Sequence, residues 1–411
     1  MSEKYIFSAS DILIPAFAPS SEDFTKWAVI ACDQFTSDVS YWDETERLID
    51  DSPSTYDYIL PEAYLETPRA EVKTESFKAK MTEIATSVLN PAVPAVNGFI
   101  YIERTLSDGK VRRGILGKLD LEEYDYAADS SSDIRATEQT VAERIPPRSA
   151  LRAMASVEFP HAMVFADDKT ALFEKAAKIA ANCPVVYDFD LMQGGGHIKG
   201  YKIEGAVADE LQALIGENEK SCTLPYAVGD GNHSLAAAKA LYSSIKEDLG
   251  DDAISHPARY ALCEIVSIYD DAIEFEPIHR IVKNVSPSEL ISSLGEIASE
   301  FDGEQKIRVI TTYCEAVYSF TKVSHDMTVG TLQNFIDEYI ASHPGAVCDY
   351  IHGEEELRAL VNEDSVAFMF DGFDKSQLFS YIKNGPMPRK TFSMGDARSK
   401  RYYLEGRVIV K

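Results

Sequence analysis

The chain has 411 residues, 45% of them hydrophobic and 26% charged, with a formal net charge of −27. That length holds two or three domains and a sizeable core. Such an acidic surface repels duplex phosphates, which are bound by Lys and Arg displacing counterions, so nucleic acid is not expected as a partner.

The first 95 residues mix short strands and helices. Trp27-Ala-Val-Ile-Ala-Cys32 reads as a buried strand ending in Asp33-Gln34, and Ser40 to Asp50 and Glu71 to Leu89 read as helices. The Pro-rich joint Asn90-Pro-Ala-Val-Pro94 precedes two strands, Gly98 to Arg104 and Val111 to Leu119, joined by a Ser107-Asp-Gly109 turn suited to a hairpin. A helix is expected over Arg135 to Glu143, ending at Ile145-Pro-Pro147 because proline cannot continue a helix. Strands over Val164–Phe165 and Val185 to Phe189 flank an Ala-rich helix over Thr170 to Ala181. Gln193-Gly-Gly-Gly-His197 lacks the Gly-Lys-Ser/Thr ending of a P-loop and reads as a hairpin turn.

The richest segment is Leu224 to Tyr242. An apolar strand breaks at Gly229-Asp230-Gly231-Asn232-His233, and apolar residues at Leu235, Ala238, Leu241, Tyr242, Ile245 and Leu249 then recur at helical spacing before Gly250. A strand, a tight turn and a helix start together make an anion site, because unpaired N–H groups and the positive dipole end point outward. Asp230 and His233 add a carboxylate and an imidazole. The competing reading is a cap, with Asp230 or Asn232 closing the helix and Gly231 supplying a positive φ.

Tyr260 to Ile268 reads as a further strand, and Glu276-Pro-Ile-His-Arg280 closes that segment. From Pro287 the texture changes to an α/β alternation: a helix over Glu289 to Glu300, strands over Ile307 to Val317 and a helix over Val329 to Ser342. The tail from Met387-Pro-Arg-Lys390 is basic, then strand-like, and is expected to return to the core. The expected organisation is thus an α+β (mixed α/β) protein with an N-terminal segment (1–95), a core domain (96–284), an α/β domain or insertion (285–385) and a returning tail (386–411).

The six cysteines are scattered without a C-x-x-C pair, which argues against a zinc site of standard spacing and a redox dithiol. No apolar signal core or membrane-length run occurs, so a cytoplasmic protein without membrane contact is expected. The motifs of Ser hydrolases, zinc proteases, Rossmann dehydrogenases and protein kinases are absent. Three further groups could serve an anion. Arg135, Arg144 and Arg148 could converge on phosphate oxygens with Glu138 as base or metal ligand. For that stretch, spacing alone favours a solvated, ion-paired helix. His279-Arg280 follows a strand, where a structural histidine is the commoner outcome. Arg389-Lys390 could reach an anion or neutralise neighbouring carboxylates.

Lys26-Trp-Ala-Val-Ile-Ala-Cys-Asp-Gln-Phe35, Ile134-Arg-Ala-Thr-Glu-Gln-Thr140, Asp230-Gly-Asn-His233, Pro277-Ile-His-Arg280 and Met387-Pro-Arg-Lys390, in that order, resemble the bacterial domain-of-unknown-function 1015 family. The turn also resembles the D-G-x-x-R element of the ParB/sulfiredoxin-like superfamily, which includes nucleotide-hydrolysing partition proteins, sulfiredoxins and a free-serine kinase. The resemblance implies a ParB/sulfiredoxin-like core and phosphates held at the turn. Where that motif carries arginine, this chain has Ser234, so another cation, with Arg135, Arg144, Arg280 and Lys390 as candidates, has to replace it. Glu138 is the acid most comparable to the family's second motif.

The resulting expectation is a metal-assisted phosphotransferase or phosphohydrolase acting on a small phosphorylated metabolite, with serine or phosphoserine suggested by resemblance. Glu138, Asp230 and His233 are the candidate catalytic groups, and Asp230 the candidate metal ligand. Arg135, Arg144, Gly231, Asn232, Ser234, Arg280 and Lys390 are the candidate phosphate contacts, and Mg²⁺ with ATP or ADP the candidate cofactors. The alternative is a non-catalytic nucleotide- or metabolite-binding protein acting through a partner, and an oligomer is compatible with either.

Overall fold

A computed structural model describes residues 5–65, 67–84, 87–89, 95–127, 129–383 and 385–410. The Pro-rich joint at 90–94 lies outside the described residues. The chain forms two compact units, Met1–Ile273 with Asp396–Lys411, and Glu274–Gly395. The second unit therefore begins and ends about ten residues away from the sequence boundaries of 285 and 385. Of the tail, only the part from Asp396 joins the first unit.

The first unit is built on an 11-stranded mixed sheet. Its main path runs Val185–Asp190, His197–Glu204, Val96–Thr105, Val111–Asp120, Tyr260–Ser267, Met163–Ala166, Tyr226–Asp230, Ile134–Ala136 and Tyr124–Asp125. The expected hairpin at Ser107–Gly109 is present, with Gly109 at φ +84°. So is the one at Gln193–His197, which pairs Val185–Asp190 with His197–Glu204.

Alternation along the central strands sends side chains to two cores. Ile100, Ile102, Leu116 and Leu262 pack with Trp27, Trp42 and Tyr64 of the N-terminal segment. Phe99, Tyr101, Ile115 and Ile265 face the opposite way, toward helices Leu172–Ala180, Ala206–Ser221 and Asn232–Leu249. On the last helix, Leu235, Ala238 and Tyr242 form the buried stripe that the helical spacing requires.

The expected helix over Arg135 to Glu143 is not formed. Ile134–Ala136 is a strand lying parallel to Tyr226–Val228, and the helix begins where it was expected to end, as Ile145–Ala153. Prolines 146 and 147 occupy its first turn, where a missing N–H costs nothing because no acceptor stands there. Two other helices are shorter than expected: Arg69–Thr82, and Pro287–Leu294, which gives way to the short strand Ala298–Ser299.

The second unit is α/β, with a 7-stranded sheet ordered Ala298–Ser299, Glu315–Phe320, Lys306–Ile310, Ser365–Met369, Glu276–Lys283 and Val347–His352, and Phe392–Ser393 pairing Glu276–Pro277. Among the described residues, no helix is long and apolar enough to cross a membrane.

Candidate functional site

The strand Tyr226–Asp230 loses regular register with Met163–Ala166 between Val228 and Asp230, and this bulge turns Asp230 toward the start of the helix Asn232–Leu249. Gly231 sits between them at φ +74°, and a Cβ there would stand 2.8 Å from the Cα of Ala162. The position therefore needs glycine twice, for its φ and for the close passage of the segment carrying His161.

Several sequence candidates at this turn hold structure together. Asn232 accepts from the Tyr124 hydroxyl at 3.1 Å and donates to Thr140 Oγ1 at 2.8 Å. His233 Nε2 accepts from the Val141 amide at 3.3 Å, and Thr137 donates to the Val228 carbonyl at 2.8 Å. The 137–141 loop is thereby fastened onto the turn. Glu138 lies half-buried in this loop, its backbone carbonyl accepting from Asn232 Nδ2 at 3.5 Å.

The cations proposed from sequence make contacts of their own. Arg135 sits on the neighbouring strand and its Nε donates to the Ser132 carbonyl at 3.0 Å. Arg144 is exposed. Arg148 is paired with Glu62. Arg280 and Lys390 belong to the second unit, where the fully buried Arg280 donates to Gln333 at 2.8 Å and to the carbonyls of Ile278, Arg389 and Lys390. Its guanidinium also lies over the Tyr350 ring, 4.6 Å from the centroid.

The cation that does reach the turn is Lys400. Its Nζ is 3.9 Å from Asp230 Oδ2, an oxygen that is buried and has no hydrogen-bond partner among the described residues. Lys400 arrives on the returning tail. Tyr402–Tyr403 pairs antiparallel with Val29–Ile30, and the Ala31 amide donates to the Arg401 carbonyl at 3.0 Å. That same pairing delivers Cys32 and Asp33 from the N-terminal segment. His161 completes the group, with Nε2 at 3.9 Å from Asp33 Oδ2 and 3.4 Å from Ser234 Oγ, and Nδ1 at 2.7 Å from the Tyr403 hydroxyl.

Arg112 lies behind this cluster, its Nη1 donating to the Ser399 carbonyl at 2.7 Å and its buried Nε making no hydrogen bond. Directly across the strand pair stands Arg104, whose guanidinium donates to the Gly195 and Arg398 carbonyls. Arg401 on the tail is paired with Glu264 and Glu405.

The two carboxyls at the centre are driven apart. Burial raises the Asp230 carboxyl, and the nearby Asp33 charge adds to this against the pull of Lys400 and His161. Burial works on Asp33 too, but His161, the Gln34 amide and Lys400 outweigh it and hold that carboxyl below its ordinary value. Unequal carboxyls at one site are the usual physical basis for separate acid and base roles. Burial and the Asp33 charge push the Cys32 thiol up to about 12, so it stays protonated near neutrality and is no thiolate nucleophile.

Among the described residues, no group of three or more His, Cys, Asp or Glu side chains could hold a metal ion by itself. Asp33, His161, Lys400 and Tyr403 were missing from the sequence reading of the site. Asp33 stood in a quoted family motif, while Lys400 and Tyr403 lay in a tail whose landing point no local pattern specifies.

The molecule is thus a mixed α/β protein whose first unit gathers two unequal carboxyls, a histidine and a lysine at a strand-to-helix turn. It belongs to the family described as protein of unknown function (DUF1015), whose model matches residues 14–359. No curated protein matches the chain. Among solved structures it is similar to a C-terminally truncated SbnI from Staphylococcus aureus, at 12% identity over 70% of this chain and 85% of that one, TM-score 0.38. It is also similar to a conserved hypothetical protein from Pyrococcus furiosus, at 13% identity over 72% and 92%, TM-score 0.35. A free serine kinase variant in complex with ADP matches at 10% identity over 72% and 92%, TM-score 0.38. At such scores these likenesses say nothing of chemistry, which stands on the geometry above.

Proposed function

We propose that the first unit binds a phosphate-bearing small molecule at the start of the helix Asn232–Leu249 and carries out phosphoryl transfer or phosphate-ester hydrolysis there. The observation that carries this reading is the unbonded, buried Asp230 Oδ2 facing Lys400 across 3.9 Å beside that helix start. A buried polar atom without a partner is costly, and one that faces a lysine beside a helix start is placed to take a ligand or a proton.

In this reading the helix N-terminus and Lys400 hold the phosphate oxygens. Lys400 takes the place of the arginine that Ser234 replaces in the D-G-x-x-R pattern. Asp230, with its raised carboxyl, accepts the proton of the attacking hydroxyl or water, and Asp33 remains ionised to orient Lys400 and His161. Phosphoryl transfer needs mainly positioning and charge stabilisation, which this arrangement offers. Asn232 and His233 act by fixing the turn and its flanking loop.

Magnesium fits as an ion shared with the substrate, because it is commonly held by one or two carboxylates together with phosphate oxygens. Asp33, whose carboxyl is held below its ordinary value, is the residue that would hold it together with the phosphate oxygens, and it would neutralise charge on the transferring group. ATP or ADP as phosphate carrier, and serine or phosphoserine as the other ligand, remain expectations from the resemblance.

The test is a thermal-shift and turnover panel with inorganic phosphate, O-phosphoserine, serine, ATP and ADP, with and without Mg²⁺, on wild type, Asp230→Asn and Lys400→Met. Ligand-dependent stabilisation lost in both variants, together with product formed only by wild type, supports the reading. Stabilisation without any product supports the non-catalytic binding protein instead. Shifts indifferent to both substitutions remove phosphate from this turn.

A further inference from the structure

A cavity of about 410 Å³ adjoins the same helix start. Cys32, His161, Ser234 and Tyr403 form its polar end. Ser234 and His161 belong to both places, since His161 Nε2 stands between Ser234 Oγ at 3.4 Å and Asp33 Oδ2 at 3.9 Å. Away from that end the wall is largely apolar, including the stacked rings of Tyr58 and Phe159, whose centroids are 5.0 Å apart. Charged groups reaching the wall are matched internally, Arg148 with Glu62 and Arg152 with Glu158.

A bare phosphate or a single small amino acid would leave most of this space empty. Cavities of about 300–1,000 Å³ with apolar walls and a few converging polar groups bury ring-sized organic ligands.

We infer that this cavity receives the apolar, ring-bearing body of the ligand whose phosphate sits at the Gly231–Ser234 turn, so that the substrate class is a phosphate ester of an apolar ring compound. The inference rests on the phosphate reading above and adds the part of the ligand that decides specificity. His161 and Ser234 stand at the junction, where the ester oxygen joining body to phosphate passes between the two regions.

The test measures binding of inorganic phosphate, 1-naphthyl phosphate and 1-naphthol to the full chain by calorimetry. It uses wild type, Lys400→Met and two cavity variants, Ala150→Trp at the exposed rim and Leu151→Asp on the half-buried wall. Either cavity variant suffices if the other fails to fold. Wild type is expected to bind 1-naphthyl phosphate at least about tenfold more tightly than inorganic phosphate, since burying a ring system is worth more than that factor. The cavity variants are expected to abolish this margin while leaving phosphate binding unchanged, and Lys400→Met to weaken both phosphate-bearing probes. Equal affinity for the two phosphates, or a margin that survives both cavity variants, overturns the inference and leaves the phosphate site standing. Binding of naphthol as tight as naphthyl phosphate, with no binding of inorganic phosphate, overturns the phosphate reading and the inference with it.

Discussion

Lys400 and Asp230 meet at 3.9 Å although they come from opposite parts of the first unit, one on the returning tail and one at a strand end. Their side chains are 11% and 13% exposed, so the pair is desolvated enough for the loss of either partner to be felt. Lys400→Met should leave Asp230 facing Asp33 with less compensating charge. The expected cost is about 1–3 kcal/mol where Asp230 is ionised, shrinking as pH falls through its raised value and the carboxyl protonates. Urea denaturation above and below that value reads this directly, and a penalty independent of pH would contradict the pairing.

Asp230→Asn is expected to act in the opposite sense on stability. A carboxyl raised in the folded state favours folding while protonated, and that contribution disappears as pH rises through the raised value. The amide cannot ionise, so above the raised value the variant should equal or exceed wild type in stability, while phosphate binding and turnover are lost. Asp33 still faces Lys400 and His161 in the variant, so the lysine keeps a counter-charge. An Asn variant that binds phosphate as wild type does would exclude Asp230 from the chemistry.

Gly231→Ala forces a Cβ to within 2.8 Å of the Ala162 backbone at φ +74°. Strain of this kind costs about 1–3 kcal/mol, and the displaced segment carries His161, so ligand binding should fall as well. Melting curves with and without phosphate separate the two effects. An Ala variant with an unchanged melting point would mean that the turn relaxes freely.

Glu219 offers a pH signature away from the site. Burial raises its carboxyl to about 7, against the amides of Phe7 and Ile6 and the Tyr226 hydroxyl, which favour the ionised form. With the folded value above the unfolded one, the protonated group favours folding, and stability should fall as pH rises from about 4.5 through 7. Glu219→Gln should flatten that part of the profile. A wild-type profile equally steep in the variant would assign the slope to other groups.

Arg280→Met tests whether this arginine belongs to the ligand site or to the second unit's own framework. Removing a buried guanidinium that serves Gln333 and three carbonyls should cost about 2–4 kcal/mol of that unit's stability. Phosphate binding by the first unit should be unchanged, as calorimetry on the intact chain would show. A loss of binding with no loss of stability would restore Arg280 to the ligand.

The sequence by itself determined the local elements with strong periodicity: the two hairpins, the helix Asn232–Leu249 and the strand–turn–helix step at Gly229–His233. Each depends on neighbours a few residues apart, through alternation, helical spacing or a glycine that tolerates positive φ. The run around Arg135 misled, since its charge spacing suits a helix while pairing with Tyr226–Asp230 holds Ile134–Ala136 extended. Prolines 146 and 147 were correctly seen as a boundary, but a proline pair marks a helix start as well as a helix end, and only packing chose between them. Tertiary structure alone decided which charges share the site. Asp33 and Lys400 become neighbours of Asp230 through the pairing of Tyr402–Tyr403 with Val29–Ile30, a contact between chain ends that no local spacing encodes. Contacts within the second unit likewise took up Arg280, because a guanidinium answers to whichever acceptors the fold brings within reach.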